Sequence, residues 1–242
     1  MHALLCSLQK FVMSKPLIIV PFRDAGDGVR YEHLRVFKEH MKTNKCENNI
    51  LIVEQSKDNR KFNRGALLNI GARLAVDATS FIFHDVDLLP SAKVLEAYKK
   101  TFQDPIHYGS LWTSKYTHKT FCGGVLYITR KDLERINGFP NKCWGWGGED
   151  DIVRNRLHGL TIPIACGSSA VTAAATGSVA AASHELNYIE LSHEHQGHNP
   201  LLKNMHRWED VEQWSNDLSD GFSNARFQYT VIADGHVKVH IL

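Results

Sequence analysis

Fifteen residues, Asn137 to Asp151 (NGFPNKCWGWGGEDD), hold two Trp, four Gly, one Pro and three consecutive acids. A carboxylate can take a proton from a hydroxyl, and the flat indole faces of Trp144 and Trp146 can stack on a sugar ring. Gly145, Gly147 and Gly148 let the backbone come close to a ligand. Glu149, Asp150 and Asp151 lead into DIVRNRLHG, a predicted helix whose N-terminus favours negative charge. An acid-capped helix over a buried Trp would use some of the same residues; the paired Trp and the glycines favour a ligand site. A second acidic pair, Asp85 and Asp87, ends the apolar run FIFHDVD. In a β conformation residues two apart share a side, so both carboxylates could converge on one cation. Hard oxygen donors suit Mn²⁺ or Mg²⁺ with a diphosphate completing the shell. Short acidic pairs also end solvated strands, so this motif is weak alone. His193 and His195 follow the predicted strand Tyr188–Leu191 and could present two imidazoles to one side, with His198 as a substitute for either.

The elements that must position these groups alternate. Leu17–Val20, Ile50–Val53 and Ser80–His84 read as buried strands, Val29–Met41 and Arg64–Val76 as helices. That order implies a Rossmann-like α/β fold with a mostly parallel central sheet, flanking helices and ligands beyond the carboxyl ends of the strands. Further strands are expected at Ile106–Trp112 and Val125–Ile128, bracketing Cys122-Gly123-Gly124, and a short helix at Lys131–Ile136. Residues 165–183 use only Ala, Cys, Gly, Ser, Val and Thr, so they read as a low-complexity loop insertion. The C-terminal segment alternates around Asp234-Gly235, a hairpin signal. The expected organisation is an N-terminal extension (1–16), a catalytic domain (17–204), and a C-terminal helix and hairpin (205–242) completing that domain.

With 242 residues and 43% hydrophobic content, the chain can bury a substantial core. Its net charge of +2, from 28 basic and 26 acidic residues, gives no reason to expect nucleic acid as a partner. Five scattered Cys without a CxxC pair point to reduced thiols rather than a disulfide scaffold or a zinc ribbon. The N-terminal apolar run is too short to span a bilayer, and no Asn-x-Ser/Thr sequon occurs.

NGFPNKCWGWGGEDD resembles the acceptor-site signature of the β1,4-galactosyltransferases, inverting transferases of GT-A fold. Pro21-Phe22-Arg23, Phe62-Asn63-Arg64 and Asp85-Val86-Asp87 fall in the order that family requires, and the resemblance runs from about Leu17 to about His195. It implies a UDP-sugar donor, most readily UDP-galactose, held by Pro21, Phe22, Arg23, Phe62, Arg64, Asp85, Val86 and Phe121, with Asp85 near the ribose. It implies a carbohydrate acceptor at Trp146, Gly147, Gly148, Glu149 and Asp151, with Asp150 as catalytic base. Trp146 would sit on a small loop that closes over the donor. The metal ligands would be Asp87, His193 and His195, a His-x-His set like that of the proteoglycan-linker, xylose-acceptor branch. Imidazole donors favour Mn²⁺ over Mg²⁺. Phe121 stands where galactose-specific relatives commonly carry Tyr, which leaves UDP-GalNAc or another UDP-sugar open. Gly148 is similar to the glucosamine-acceptor branch instead, and Ile152 replaces a fourth acid. Animal relatives are usually Golgi proteins with an N-terminal membrane helix. A trimmed catalytic piece would belong to the Golgi lumen, a full-length chain of this kind to a bacterial or viral setting and the cytoplasm. Two other classes compete. A nucleotidyltransferase would want a basic Gly-rich loop near the first strand, whereas Asp24-Ala25-Gly26-Asp27-Gly28 lacks Lys. A non-catalytic sugar-binding domain would be expected to have lost an acid from DVD or GGEDD, and none is missing.

Overall fold

The computed structural model describes residues 15–112, 122–145, 147–174, 187–192 and 208–242. Strands β1 (Leu17–Phe22), β2 (Ile50–Gln55) and β3 (Ser80–His84) are runs of buried residues, as strands covered on both faces must be. β1 pairs in parallel with both β2 and β3. Two further hairpin strands, β9 (Phe227–Ala233) and β10 (His236–Ile241), extend the sheet, with β10 parallel to β2. On the other side β6 (Val125–Thr129) runs antiparallel to β3, followed by the two-residue strands β5 (Ile106–His107) and β7 (Ala165–Cys166). The sheet order is β7-β5-β6-β3-β1-β2-β10-β9. A separate pair joins β4 (Leu88–Pro90) to β8 (Tyr188–Glu190).

Alternation along the strands sends side chains to two apolar layers. Leu17, Ile19, Leu51, Val53, Phe81 and Phe83 meet helices α2 (Arg64–Leu74), α4 (Arg130–Arg135) and α5 (Glu149–Gly159). Ile18, Val20, Ile52 and Ile82 meet α1 (Val29–Thr43), α3 (Ala92–Tyr98) and α6 (Gly167–Ala174). A last helix, α7 (Trp208–Asn216), lies against α5. Two expectations need correction. Ile106–Trp112 is a strand only at Ile106–His107, then turns into a 3-10 segment at Tyr108–Leu111. Residues 165–183 are not wholly a loop: 165–166 form β7 and 167–174 form α6, which buries Ala170 and Val171 against the core. Small side chains were enough because α6 packs close to α3 and that 3-10 turn, and a Cβ on Gly167 would lie 2.9 Å from Leu111.

The irregular chain from Asn137 to Gly145 has no ladder to satisfy its backbone, so side chains do it. Asn69 on α2 accepts from the Phe139 N–H (3.0 Å) and donates to the Phe139 carbonyl (2.7 Å) and to Asn141 Oδ1 (3.0 Å). Gly138 makes the turn before it with φ of 62°, where a Cβ would sit 2.3 Å from Asn69 Oδ1. Buried Arg156 donates to the carbonyls of Gly138 (2.9 Å), Trp214 (3.0 Å), Asp217 (2.8 Å) and Asp220 (2.9 Å). Asn141 then reaches the Gly221 carbonyl (2.6 Å). The signature loop is thus pinned to α2 on one side and to the C-terminal segment on the other.

The hairpin is fixed at its own end by buried Glu54, which accepts from His236 (2.9 Å), Lys238 (3.0 Å) and Tyr31 (3.2 Å). Burial pushes this carboxyl up, but the bonds from His236 and Lys238 win and hold it at about 2, below its ordinary 4.5. A depressed folded value contributes stability above about 4.5 that is lost as pH falls towards 2. Glu54→Gln should therefore lower stability at neutral pH, and the gap to wild type should close on acidification, read by urea unfolding at a series of pH values. Asn69→Ala leaves two buried backbone groups of Phe139 unpaired. It should cost roughly 2–6 kcal/mol, at about 1–3 for each orphaned group, seen as a lower urea midpoint with an unchanged slope.

Candidate active site

Two helix N-termini meet at the carboxyl edge of the sheet. At the first, Asn63 caps α2 through Oδ1 (2.9 Å to the Ala66 N–H), and its own N–H is held by Gln55 Oε1 (2.8 Å). The next residue, Arg64, therefore leaves the helix start in a fixed direction. At the second, Gly148 takes a left-handed conformation (φ 93°) before Glu149, Asp150 and Asp151 open α5. Gly65 allows the close approach, since a Cβ there would lie 3.0 Å from Phe139 Cβ and 3.2 Å from the Pro140 carbonyl.

Arg64 spans the gap. Its Nε donates to Asp85 Oδ1 (2.8 Å) and its Nη1 to Asp150 Oδ1 (2.8 Å), with Glu149 Oε1 at 3.5 Å. The end of β3 and the start of α5 are thereby joined through one guanidinium. Burial opposes its charge, but Asp150, Asp85 and Glu149 more than offset that and keep it cationic. Burial pushes Glu149 up to about 8, the Asp150 charge adding to it and Arg64 opposing. Asp85 rises to about 6, from burial against the pull of Arg64, with Asp87 and Asp150 pushing further. Asp151 is also raised, by burial and then by Asp150. Two buried thiols line the back of this region: Cys122 donates to the Asp150 carbonyl (3.1 Å) and Cys143 to that of Gly147 (3.6 Å). Burial pushes both well above the ordinary thiol range.

Asp85 and Asp87 pair with different arginines among the described residues. The strand ends at His84 and the chain turns at Val86 and Asp87, so the two-residue alternation expected of an extended strand does not continue through them. Asp87 Oδ2 instead accepts from Arg30 Nη1 (2.7 Å). Arg30 is set at the start of α1 by Asp24, whose carboxylate takes the N–H groups of Gly26, Gly28 and Arg30. On its other flank the Asp87 carbonyl accepts from the Leu191 N–H (2.8 Å), which lays residues 188–192 beside the DVD turn. His84, whose Nδ1 lies 2.8 Å from the Asp85 carbonyl, is kept neutral by burial, which lowers it to about 4.

Several expected contacts take a different form. Phe22 is 1% exposed and packs in the core beside Tyr31 (5.2 Å), so its ring presents no face to a base. Pro21 and Val86 are likewise buried, leaving only their backbone for a ligand. Arg23 is turned to the Arg60 carbonyl (2.5 Å), and Nε and Nη1 of Arg64 are bonded to carboxylates. Phe62 is half-buried against the core and accepts from the Gly145 N–H (2.8 Å) through its carbonyl, tying the FNR and Trp-rich motifs together. Glu149, Asp150, Asp85, Gly147 and Gly148 are brought to one place. Phe121, Trp146, His193 and His195 lie outside the described residues, and among the described residues no three His, Cys, Asp or Glu side chains are grouped to hold a metal. Of the expected metal set Asp87 is therefore the described member. Its hard oxygen donor fits a divalent cation, and Arg30 already places positive charge against it. Sequence reasoning missed Arg30 and Arg156; the Gly-rich turn just before α1 is the signal that could have marked Arg30.

Residues 9–99 match the family model for the N-terminal region of glycosyl transferase group 7, and residues 105–172 match that for the N-terminal domain of galactosyltransferase. β-1,4-Galactosyltransferase 7 of Drosophila melanogaster is 38% identical over 157 residues, covering 61% of this chain and 47% of that protein. The human β-1,4-galactosyltransferase 7 is 35% identical over 153 residues (61% and 45%), and human β-1,4-galactosyltransferase 1 is 37% identical over 157 (61% and 38%). The chain thus matches less than half the length of these curated relatives. Among solved structures, the catalytic domain of Drosophila β1,4-galactosyltransferase 7 with xylobiose superposes with a TM-score of 0.69 at 24% identity, covering 94% of this chain and 93% of that one. A mutant of the same enzyme in complex with manganese, UDP-Gal and xylobiose gives 0.70 at the same identity and coverage. The fold is therefore GT-A, and the chain belongs to the β1,4-galactosyltransferase family.

Proposed function

We propose that this chain is a Mn²⁺-dependent inverting glycosyltransferase that moves a hexose, galactose foremost, from a UDP-sugar onto a sugar hydroxyl in β1,4 linkage. The observation that carries the reading is the Arg64 bridge, which brings the DVD motif and the GGEDD motif to one guanidinium. A donor-side carboxylate and an acceptor-side carboxylate held this way suit a reaction in which two sugars must meet. Kinship with the galactosyltransferases and the manganese, UDP-Gal and xylobiose bound in a structural neighbour support the same assignment.

In this reading Asp150 takes the proton from the acceptor hydroxyl, and that oxygen attacks the anomeric carbon from the face opposite the leaving diphosphate. Arg64 fixes Asp150 for this task and holds Asp85 at the ribose side. Asp87, His193 and His195 would hold Mn²⁺, which when bound supplies Lewis-acid stabilisation of the departing diphosphate. Arg30 sets a fixed positive charge beside Asp87 that would attract the diphosphate of the donor. Trp146, Gly147, Gly148, Glu149 and Asp151 form the acceptor side. Phe121 supports a donor choice that extends to UDP-GalNAc. Cys46, Cys122, Cys143 and Cys166 are free thiols among the described residues; the setting is the cytoplasm for a full-length chain and the Golgi lumen for a trimmed catalytic piece. Among the described residues no helix is long and apolar enough to cross a membrane.

The test is UDP release with Mn²⁺ and a panel of UDP-sugars, with and without simple β-glycoside acceptors. Acceptor-stimulated release from one donor is expected. Asp150→Asn should lower kcat by about 10²–10⁴-fold while still binding UDP-sugar, and Asp87→Asn should lose the stimulation by Mn²⁺. Binding of UDP-sugar without turnover on any acceptor would favour a sugar-binding domain instead, and turnover undiminished in Asp150→Asn would remove that residue as the base.

A further inference from the structure

Charge counting around Arg64 leads to a protonation state. Three carboxylates, Asp85, Glu149 and Asp150, face this one guanidinium from the end of β3 and the start of α5. If all were ionised, excess negative charge would sit in a largely dry cluster, a cost that proteins relieve by holding a proton. The three are not equivalent. Asp85 and Asp150 take the two short bonds at 2.8 Å, and the Asp85 side chain is also 33% exposed. Glu149 has a 3.5 Å contact to Arg64 through Oε1 and a bond from its own backbone N–H, its side chain is 9% exposed, and its Oε2 is buried with no hydrogen-bond partner among the described residues. It is the driest of the three and the least compensated.

We propose that Glu149 is a neutral carboxylic acid at neutral pH and acts as a positioning residue, leaving the charge of Arg64 to Asp85 and Asp150. The proposal rests on the reading of Asp150 as the acceptor base. The groups facing Glu149 are Arg64 from α2, Asp85 from the end of β3, Asp150 beside it on α5, and the Cys143 thiol from the signature loop, itself held neutral by burial. Arg64, and after it the Glu149 backbone N–H at the α5 N-terminus, favour ionisation; burial and the Asp150 charge outweigh them. Burial first and the Asp150 charge second place the loss of the proton near pH 8. Above that, a new anion competes for Nη1 of Arg64, which already serves Asp150, and draws the guanidinium off the base. Turnover should then fall on an alkaline limb set by Glu149.

The sign for stability is definite. The folded value lies above the ordinary 4.5, so the folded chain keeps a proton that the unfolded chain releases. The stability owed to this group therefore falls as pH rises from about 4.5 to 8 and stays lost above that. The test uses the full chain with ¹³C-labelled glutamate carboxyls, titrated by NMR from neutral to alkaline pH. One carboxyl resonance should titrate in the mildly alkaline range and be missing in Glu149→Gln. Asp150→Asn, which removes a neighbouring charge, should move that same titration to lower pH and provides the check should the Gln variant fail to fold. Tm of Glu149→Gln should gain on wild type as pH rises, and any turnover it retains should lose the alkaline limb. Glutamate carboxyls that all titrate in the ordinary acidic range would overturn the inference, as would a resonance unmoved by Asp150→Asn. Because the resonance is read without substrate, a proton found without turnover counts against the transferase reading alone. Turnover without the proton counts against this inference alone.

Discussion

A buried guanidinium must find anions, and buried carboxylates must find a cation; the architecture of this site is the mutual solution. Removing one partner from a buried ion pair costs about 3–5 kcal/mol because the other charge is left uncompensated. Arg64 and its three acids therefore constrain everything that carries them. β3 must end where Asp85 can reach Nε, α2 must begin one residue after its cap, and α5 must start with its acids turned inward. Both helices also point their positive N-terminal ends at the carboxylates, which favours negative charge there. An Arg at the first position of α2 opposes that helix's own dipole, and the short bonds to Asp85 and Asp150 are what make the placement stable.

Holding this cluster needs rigid ground beneath an irregular loop. Asn137, Gly138, Gly145, Gly147 and Gly148 all have positive φ, so the signature cannot be secured by helix or sheet hydrogen bonding. Side-chain amides take over: Asn63 donates to the Asn141 carbonyl (2.6 Å), Asn69 reads both polar groups of Phe139, and Asn141 reaches on to Gly221. Arg156 then ties α5 to carbonyls at 214, 217 and 220. The C-terminal segment is accordingly part of the foundation of the site, although it supplies none of the expected site residues.

Most of the frame was legible in the sequence because it rests on local patterns. Unbroken apolar runs located β1, β2 and β3, helical spacing located α1 and α2, and Asp234-Gly235 located the closing hairpin. The clustering of motifs at the carboxyl edge followed from the parallel order of β1 to β3. What stayed hidden depends on long-range partners. The sequence shows Arg64 beside Phe62 and Asn63, but not that 21 residues onward and 86 residues onward carboxylates would claim it. Arg156 reads as an exposed helix residue until its six carbonyl partners are seen. Phe22 carries the aromatic ring that base stacking wants, yet its strand is covered on both faces, and nothing in a three-residue motif reports that. The helix at 167–174 was missed because small residues give no amphipathic signal; its stability comes from close packing.

The two acids of DVD do not follow the strand alternation expected of them. Strand alternation would have pointed both carboxylates at one cation, but the strand ends at His84 and the chain turns at Val86 and Asp87, so that alternation does not carry through them. Asp85 goes to Arg64 and so to the side that holds Asp150; Asp87 goes to Arg30 and to the flank where residues 188–192 run. Each carboxylate thus sits in the field of a different fixed cation, one from α2 and one from α1. A divalent ion at Asp87 would act beside Arg30, while the charge on Asp85 stays engaged with the acceptor side through Arg64. Under the proposed reading, Asp87 serves the cation while Asp85, at the ribose side of the donor, is coupled through Arg64 to the acceptor-side base. A change in how firmly Arg64 is held would then be felt at Asp85 and Asp150 together, because both draw on the same guanidinium.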